Sequence, residues 1–192
     1  MNQRCAWVNT PDPIYAAYHD TEWGVPEYDS RALWEKLLLD GFQAGLAWIT
    51  ILRKRETMRA AFDGFDPDRI SAYTDADRER LLADPGIIRS KSKIDAAIGN
   101  ARAYIAMREN GEDFADYLWA FVGGTPIQNA YASLAEVPTK TALSETISKD
   151  LKKRGFKFVG PTIVYAFMEA VGMVNDHEVT CPRHAAVKQL VR

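Results

Sequence analysis

The sequence predicts an all-α fold. Apolar residues recur at helical spacing through most of the 192-residue chain. Several of these runs open on residues that cap helix N-termini, Asp66-Pro67 among them. No segment alternates apolar and polar residues for long enough to specify a strand.

The chain opens with a loop-rich arm, residues 5–28, that shows helical period only at 13–19. It holds Cys5, Trp7, Tyr15, Tyr18, His19 and Trp23. These rings either clamp the arm to the core or line a ligand site. Asp29 or Ser30 then caps a helix with Leu33, Leu37 and Leu38 on one face. That helix runs into the stretch Asp40-Gly41-Phe42-Gln43-Ala44-Gly45-Leu46-Ala47-Trp48. A second helix leaves it with Ile49, Leu52, Met58 and Phe62. Gly41 and Gly45 permit backbone angles and close approaches that a side chain forbids. The corner is either an ordinary junction with a core tryptophan or the wall of a pocket that pairs a carboxylate with an indole.

Arg53-Lys54-Arg55-Glu56 reads as the solvated face of the second helix. Asp66-Pro67 and the Thr74–Asp77 capping box start the next two. Pro85-Gly86 is a turn. Ile94, Ile98, Ala101 and Ile105 keep a helical period up to Gly111. Phe114, Leu118, Phe121 and Val122 form a further helix, stopped by Gly123-Gly124. Residues 124–141, with Pro126 and Pro138, bridge to the last third of the chain. The expected organisation is one domain over 1–192: central helices at 28–142, a helix–hairpin–helix at 143–172, and terminal segments at 1–27 and 173–181.

In that last third Leu143, Ile147 and Leu151 mark a helix that ends in Lys152-Lys153-Arg154-Gly155. After Phe156-Lys157-Phe158-Val159-Gly160-Pro161, a second helix carries Ile163, Val164, Phe167, Ala170 and Val171. Gly155 closes the first helix and Pro161 starts the second. The free N–H groups and dipole of the second helix attract an anion. Lys149, Lys152, Lys153, Arg154 and Lys157 add positive charge beside it. This suits a grip on a phosphate backbone that does not read sequence. A basic helix end that complements its own dipole is the alternative.

Formal net charge is −2, which excludes a broadly basic, nucleic-acid-coating surface but leaves room for that local patch. With 47% apolar residues the chain can fill a core. Two cysteines are too few for a disulfide scaffold. The N-terminus lacks an apolar leader and no run nears the length of a membrane span, so the expectation is a cytoplasmic protein with no membrane partner. Cys5, His19, His177 and Cys181 form two Cys/His pairs at opposite ends of the chain. Together they could complete a tetrahedral zinc site that ties the arm down. Unrelated histidines, buried thiols or a Cys5–Cys181 disulfide fit the spacing as well.

A set of ordered motifs narrows these choices. They are Cys5-Ala6-Trp7-Val8, Asp12-Pro13, Tyr18-His19-Asp20, Glu22-Trp23-Gly24-Val25-Pro26, Gln43-Ala44-Gly45-Leu46, Trp48-Ile49-Thr50, Gly86-Ile87-Ile88-Arg89, Lys93-Ile94, Gly99-Asn100-Ala101-Arg102, Leu151 to Gly160, and Val174-Asn175-Asp176-His177. Together they resemble the DNA-3-methyladenine glycosylase I family over nearly the whole chain. The resemblance implies a helix-hairpin-helix glycosylase-like helical bundle with a zinc-tethered arm. It implies an enzyme that cleaves the N-glycosidic bond of 3-methyladenine in double-stranded DNA and works as a monomer. One structural Zn2+ per chain falls on Cys5, His19, His177 and Cys181.

By the same motifs Trp48 is the stacking platform, Asp40 the pocket acid and Tyr18 their partner, the three assigned to catalysis. Tyr15, Trp7 and Trp23 bind the base. Gln43, Leu46, Lys153, Gly155, Phe156, Lys157 and Gly160 contact DNA. The chain departs from the family's better-known members with Asp40 in place of Glu and Phe42 in place of Gln. Asp176 reads as support for His177 or as a helix cap. A helix-hairpin-helix damage-binding protein with weak catalysis is the alternative function, and the Asp40 departure is what favours it.

Overall fold

The computed structural model describes residues 4–8 and 11–190. Residues 1–3, where the expectation of no apolar leader falls, 9–10 and 191–192 lie outside the described residues. The chain is all-α, as its periodicity requires. Helix α1 spans Pro13–Thr21, and α2, Ser30–Gln43, starts on Asp29, whose side chain accepts from the Ala32 N–H. Helix α3 is Trp48–Ala61 and α4 is Pro67–Ser71, capped by Asp66. Helix α5, Asp75–Ala83, opens on the Thr74/Asp77 capping box. Helices α6 (Lys91–Glu109), α7 (Phe114–Ala120), α8 (Ala142–Lys153), α9 (Pro161–Ala170) and α10 (Pro182–Lys188) follow.

Three boundaries differ from the sequence reading. Helix α2 continues through Asp40 and Gly41 to Gln43, because Gly41 needs no special backbone angle there. A Cβ at Gly41 would lie 3.4 Å from Phe158 Cβ, so this glycine serves a close packing contact with the hairpin. Helix α7 stops at Ala120, leaving Phe121 and Val122 in a turn. The 124–141 bridge carries a short strand, β1 (Ile127–Gln128), parallel to β2 (Val174–Asn175). Two residues per strand are too few to leave a period in the sequence.

Helix α2 is central and touches α3, α6, α7 and α9. Its Leu33, Trp34 and Leu37 are buried with Ile51 and Met58 of α3, Ile94 and Ile98 of α6, and Val164 and Phe167 of α9. Burying each such side chain contributes about 1.5–3 kcal/mol. The Trp34 indole N–H donates to the Phe65 carbonyl at 2.9 Å, so its burial leaves no polar atom unpaired.

The segment between α8 and α9 is held from both sides. The Asn100 side chain donates to the Lys157 carbonyl at 3.0 Å and accepts from the Lys157 N–H at 2.7 Å. Ser148 donates to the Val159 carbonyl at 2.6 Å. Phe156 and Val159 are buried, while Lys153 and Lys157 are exposed.

After α9 the chain turns at Gly172, φ +71°, directly against the arm. A Cβ there would meet Pro26 N at 2.5 Å and the Val25 carbonyl carbon at 2.6 Å, both backbone atoms. Gly172→Ala is therefore expected to cost about 2–4 kcal/mol. Thermal unfolding should register this as a fall in Tm of roughly 5–15 °C.

Candidate active site

The corner between α2 and α3 forms one side of a cavity of about 240 Å³. Asp40 and Gln43 reach it from the end of α2, and Trp48 from the start of α3. Gly45, φ +77°, makes the turn between them. Lys93 fixes that turn by donating to the carbonyls of Phe42 at 2.8 Å and Ala44 at 2.6 Å, a cation on the helix C-terminus. The arm supplies the facing wall: Trp7, Tyr15, Tyr18 and Trp23 all line the cavity. Trp7 is the centre of this cluster, with ring centroids 5.0 Å from Tyr15, 5.1 Å from Trp23 and 6.4 Å from Tyr18. Tyr18 in turn lies 5.6 Å from Trp48.

The sequence reading missed the third wall. Ala166, Glu169 and Ala170 share one face of α9, and Leu134 enters from the 124–141 bridge. Burial, with Asp176 and Asp40 nearby, pushes the Glu169 carboxyl well above its usual range. Lys36 also lines the cavity. Its ammonium donates to Asp40 Oδ1 at 2.6 Å and stands 3.9 Å from the centroid of Trp48. The Lys36/Asp40 spacing of one helical turn was a legible signal for this pair. Burial pushes the Asp40 carboxyl up and the Lys36 ammonium down, each against the other's attraction.

Three buried polar atoms of the cavity-lining residues have no partner: Asp40 Oδ2, Trp7 Nε1 and Trp48 Nε1. Such atoms are rare in a folded interior, because each forgoes a hydrogen bond it had in water. Here one acceptor and two donors belong to residues that wall a ring-lined hollow. Chemically this suits a flat, electron-poor heterocycle with a polar edge.

Next to the aromatic wall, Cys5, His19, His177 and Cys181 come together, all buried, with their ligand atoms within 4.8 Å of one another. Cys5 Sγ lies 3.4 Å from His177 Nδ1, and Cys181 Sγ lies 3.6 Å from His19 Nε2 and 3.9 Å from His177 Nδ1. A tetrahedron with metal–sulfur bonds of about 2.3 Å and metal–nitrogen bonds of about 2.0 Å has edges of this length. The outer nitrogens are also engaged. His19 Nδ1 meets Asp20 at 2.8 Å, itself held by Arg4, and His177 Nε2 meets the Trp23 carbonyl at 3.0 Å. These contacts aim His19 Nε2 and His177 Nδ1 into the cluster. The Glu178 N–H donates to Cys5 Sγ. Burial lowers His177 to about 3 and raises Cys5 to about 12. A neutral imidazole is a ready ligand, and a cation would offset the cost of a buried thiolate. The four residues fit a closed metal site.

Asp176 supports neither His177 nor a helix end. It accepts from Asn129 at 2.6 Å and from the Tyr165 hydroxyl. The outer nitrogens of the two histidines are met instead by Asp20 and by the Trp23 carbonyl. In the hairpin, Gly155 takes φ +97° and Gly160 caps α9. The Phe156 ring is buried and stacks 6.0 Å from Phe114, so only its backbone belongs to the hairpin surface. Arg154 is removed from the basic patch, since Glu112 and Asp150 pair with it and Tyr117 lies under it at 4.4 Å. Lys149, Lys152, Lys153 and Lys157 stay exposed. Leu46 projects from the turn, 39% exposed beside Gln43.

A helical bundle that sets a hairpin with exposed lysines beside a deep aromatic cavity with a buried acid has the build of a helix-hairpin-helix base-excision enzyme. Comparison with known proteins makes this specific. Residues 7–184 match the methyladenine glycosylase family, and the chain belongs to that family. It is 56% identical over 179 residues to DNA-3-methyladenine glycosylase 1 of Escherichia coli (strain K12), covering 93% of this chain and 95% of that protein. A crystal structure of 3-methyladenine DNA glycosylase I superposes with a TM-score of 0.92 at 58% identity, over 94% of this chain and 98% of that one. A variant of 3-methyladenine DNA glycosylase I in complex with 3-methyladenine superposes at 0.90 with 38% identity, over 95% and 97%.

Proposed function

We propose that the protein is a DNA glycosylase that hydrolyses the N-glycosidic bond of 3-methyladenine in alkylated double-stranded DNA, acting as a monomer. One observation carries the reading beyond family membership: the aromatic cavity with a buried carboxylate oxygen and two indole N–H groups left without partners.

The chemistry asks little of a general acid. Methylation at N3 leaves the base positively charged, so it departs with the bonding electron pair as a neutral molecule. Water adds to C1′ of the sugar and releases its proton to solvent. The protein must turn the nucleotide out of the helix, which costs a few kcal/mol of unstacking. Trp48 stacks beneath the base, and its cation–π attraction offsets about 0.5–2 kcal/mol of that cost. Asp40 accepts from the amino edge and complements the ring's charge, while Tyr18 closes the other side. Trp7, Tyr15 and Trp23 complete the enclosure. With Asp one methylene shorter than Glu, the base sits closer to α2 or takes the contact through a water.

Outside the cavity, Gln43 and Leu46 enter the space the nucleotide vacates. Lys153 and Lys157, with the backbone of Gly155, Phe156 and Gly160 at the start of α9, hold the phosphates. Cys5, His19, His177 and Cys181 hold one Zn2+. Its role is structural, because protein ligands fill all four positions and leave none for water. Two reduced thiols as ligands agree with a cytoplasmic setting. Among the described residues no helix is long and apolar enough to cross a membrane.

Incubation with methylated DNA should release free 3-methyladenine, and its absence would refute the assignment. Asp40→Asn should weaken binding of the free base roughly 10- to 100-fold while DNA affinity stays near its original value. An unchanged base affinity removes Asp40 from the site. Metal analysis should find about one zinc per chain. Cys181→Ser should lose the metal together with excision. Lys157→Ala should weaken DNA binding across sequences and lower the slope of log K against log salt by about one unit.

A further inference from the structure

Lys36 already makes two of the contacts that this reading assigns to the base. Its ammonium is 2.6 Å from Asp40 Oδ1 and 3.9 Å from the Trp48 centroid. A cationic adenine that stacks on Trp48 and meets Asp40 competes for the same carboxylate and the same indole. Two like charges this close repel strongly in a site shielded from water.

The side chain has somewhere to go. Lys36 lies on the boundary of two hollows and lines both. The second, about 400 Å³, has Glu22, Glu27 and Glu35 in its walls together with Arg55 and Arg59. Glu22 pairs with Arg55, and Glu35 pairs with Arg59. Lysine's flexible stem and compact charge let the ammonium move between carboxylates without a change of backbone.

We infer that Lys36 is a displaceable internal cation: it neutralises Asp40 and covers Trp48 when no base is bound, then turns toward Glu27 and the ion pairs of the adjacent hollow when the charged base enters. The inference rests on the proposed reading of the pocket. It makes binding an exchange of one cation for another, with Asp40 keeping a counter-ion throughout. The apparent affinity is then the intrinsic affinity multiplied by the fraction of molecules whose Lys36 has turned away. Lys36 therefore sets how strongly the pocket favours a base that can replace its charge.

Binding of the 3,9-dimethyladeninium cation, which keeps the positive charge that free 3-methyladenine lacks, to wild type, Lys36→Met, Lys36→Gln and Lys36→Arg, followed by tryptophan fluorescence, tests this. The methionine and glutamine variants should bind roughly tenfold tighter than wild type. The arginine variant, bulkier and still charged, should show no gain. Glutamine keeps a hydrogen-bond donor for Asp40, so it reports even where the methionine variant folds poorly. Equal or weaker binding by both neutral variants would overturn the inference and make Lys36 a fixed support for Asp40. A gain by the arginine variant as large as theirs would overturn it too. Wild type that excises 3-methyladenine while the neutral variants bind no tighter refutes the displacement alone. Wild type that neither excises 3-methyladenine nor binds the cation refutes the reading of the pocket itself.

Discussion

The meeting of the chain's two ends at Cys5, His19, His177 and Cys181 is the constraint on which the rest depends. The arm from Cys5 to Trp23 has, among its described residues, one 3-10 turn and one nine-residue α-helix, yet it supplies four of the rings that make the cavity. Those rings are placed by the cluster. Trp7 follows Cys5 by two residues, and Tyr18 adjoins His19. Trp23 gives its carbonyl to His177 Nε2 while its ring faces the hollow. A floppy arm would bring its aromatics to the cavity with a large entropic penalty. Held through Cys5, His19 and the Trp23 carbonyl, they are in place before any ligand arrives.

The opposite wall depends on α2 and on what packs against it. Asp40 sits where α2 meets the turn fixed by Lys93, one residue before the glycine that lets Phe158 of the hairpin approach. The hairpin and the cavity are therefore neighbours through direct packing, with no mobile linker between them. Asp40 itself is nearly inaccessible and held by Lys36. An acid so placed is costly to bury unless something charged is to meet it.

The helices were legible because most of them rest on local signals. Capping residues such as Asp29, Asp66 and Thr74, and the four-residue spacing along α6 and α8, are carried in short windows of sequence. The β1–β2 pair was not, since it joins residues 47 apart with only two per strand. The site was legible in part for the same reason. Asp40 and Trp48 stand close in sequence, and so do Cys5 and His19. Glu169, Ala170 and Leu134 reach the cavity only through tertiary packing, which spacing does not report. The buried fate of Phe156 and the pairing of Arg154 with Glu112 are likewise outcomes of how α6, α7 and α8 come together. Proximity of Cys5 to Cys181 could not be read from spacing at all.

Helix α9 has its two ends in different places. Gly160 and Pro161 open it at the hairpin, and Glu169 and Ala170 finish it in the cavity wall. Ten residues of α-helix span about 15 Å and do not stretch. On the proposed reading, one end rests on a phosphate and the other faces the extracted base, so α9 acts as a caliper. The backbone it grips fixes which nucleotide stands opposite the cavity, independently of base identity. Adding a single residue to this helix would move one jaw by about 1.5 Å and rotate it by about 100°. The length of α9, more than any residue on it, then sets the register between grip and cavity.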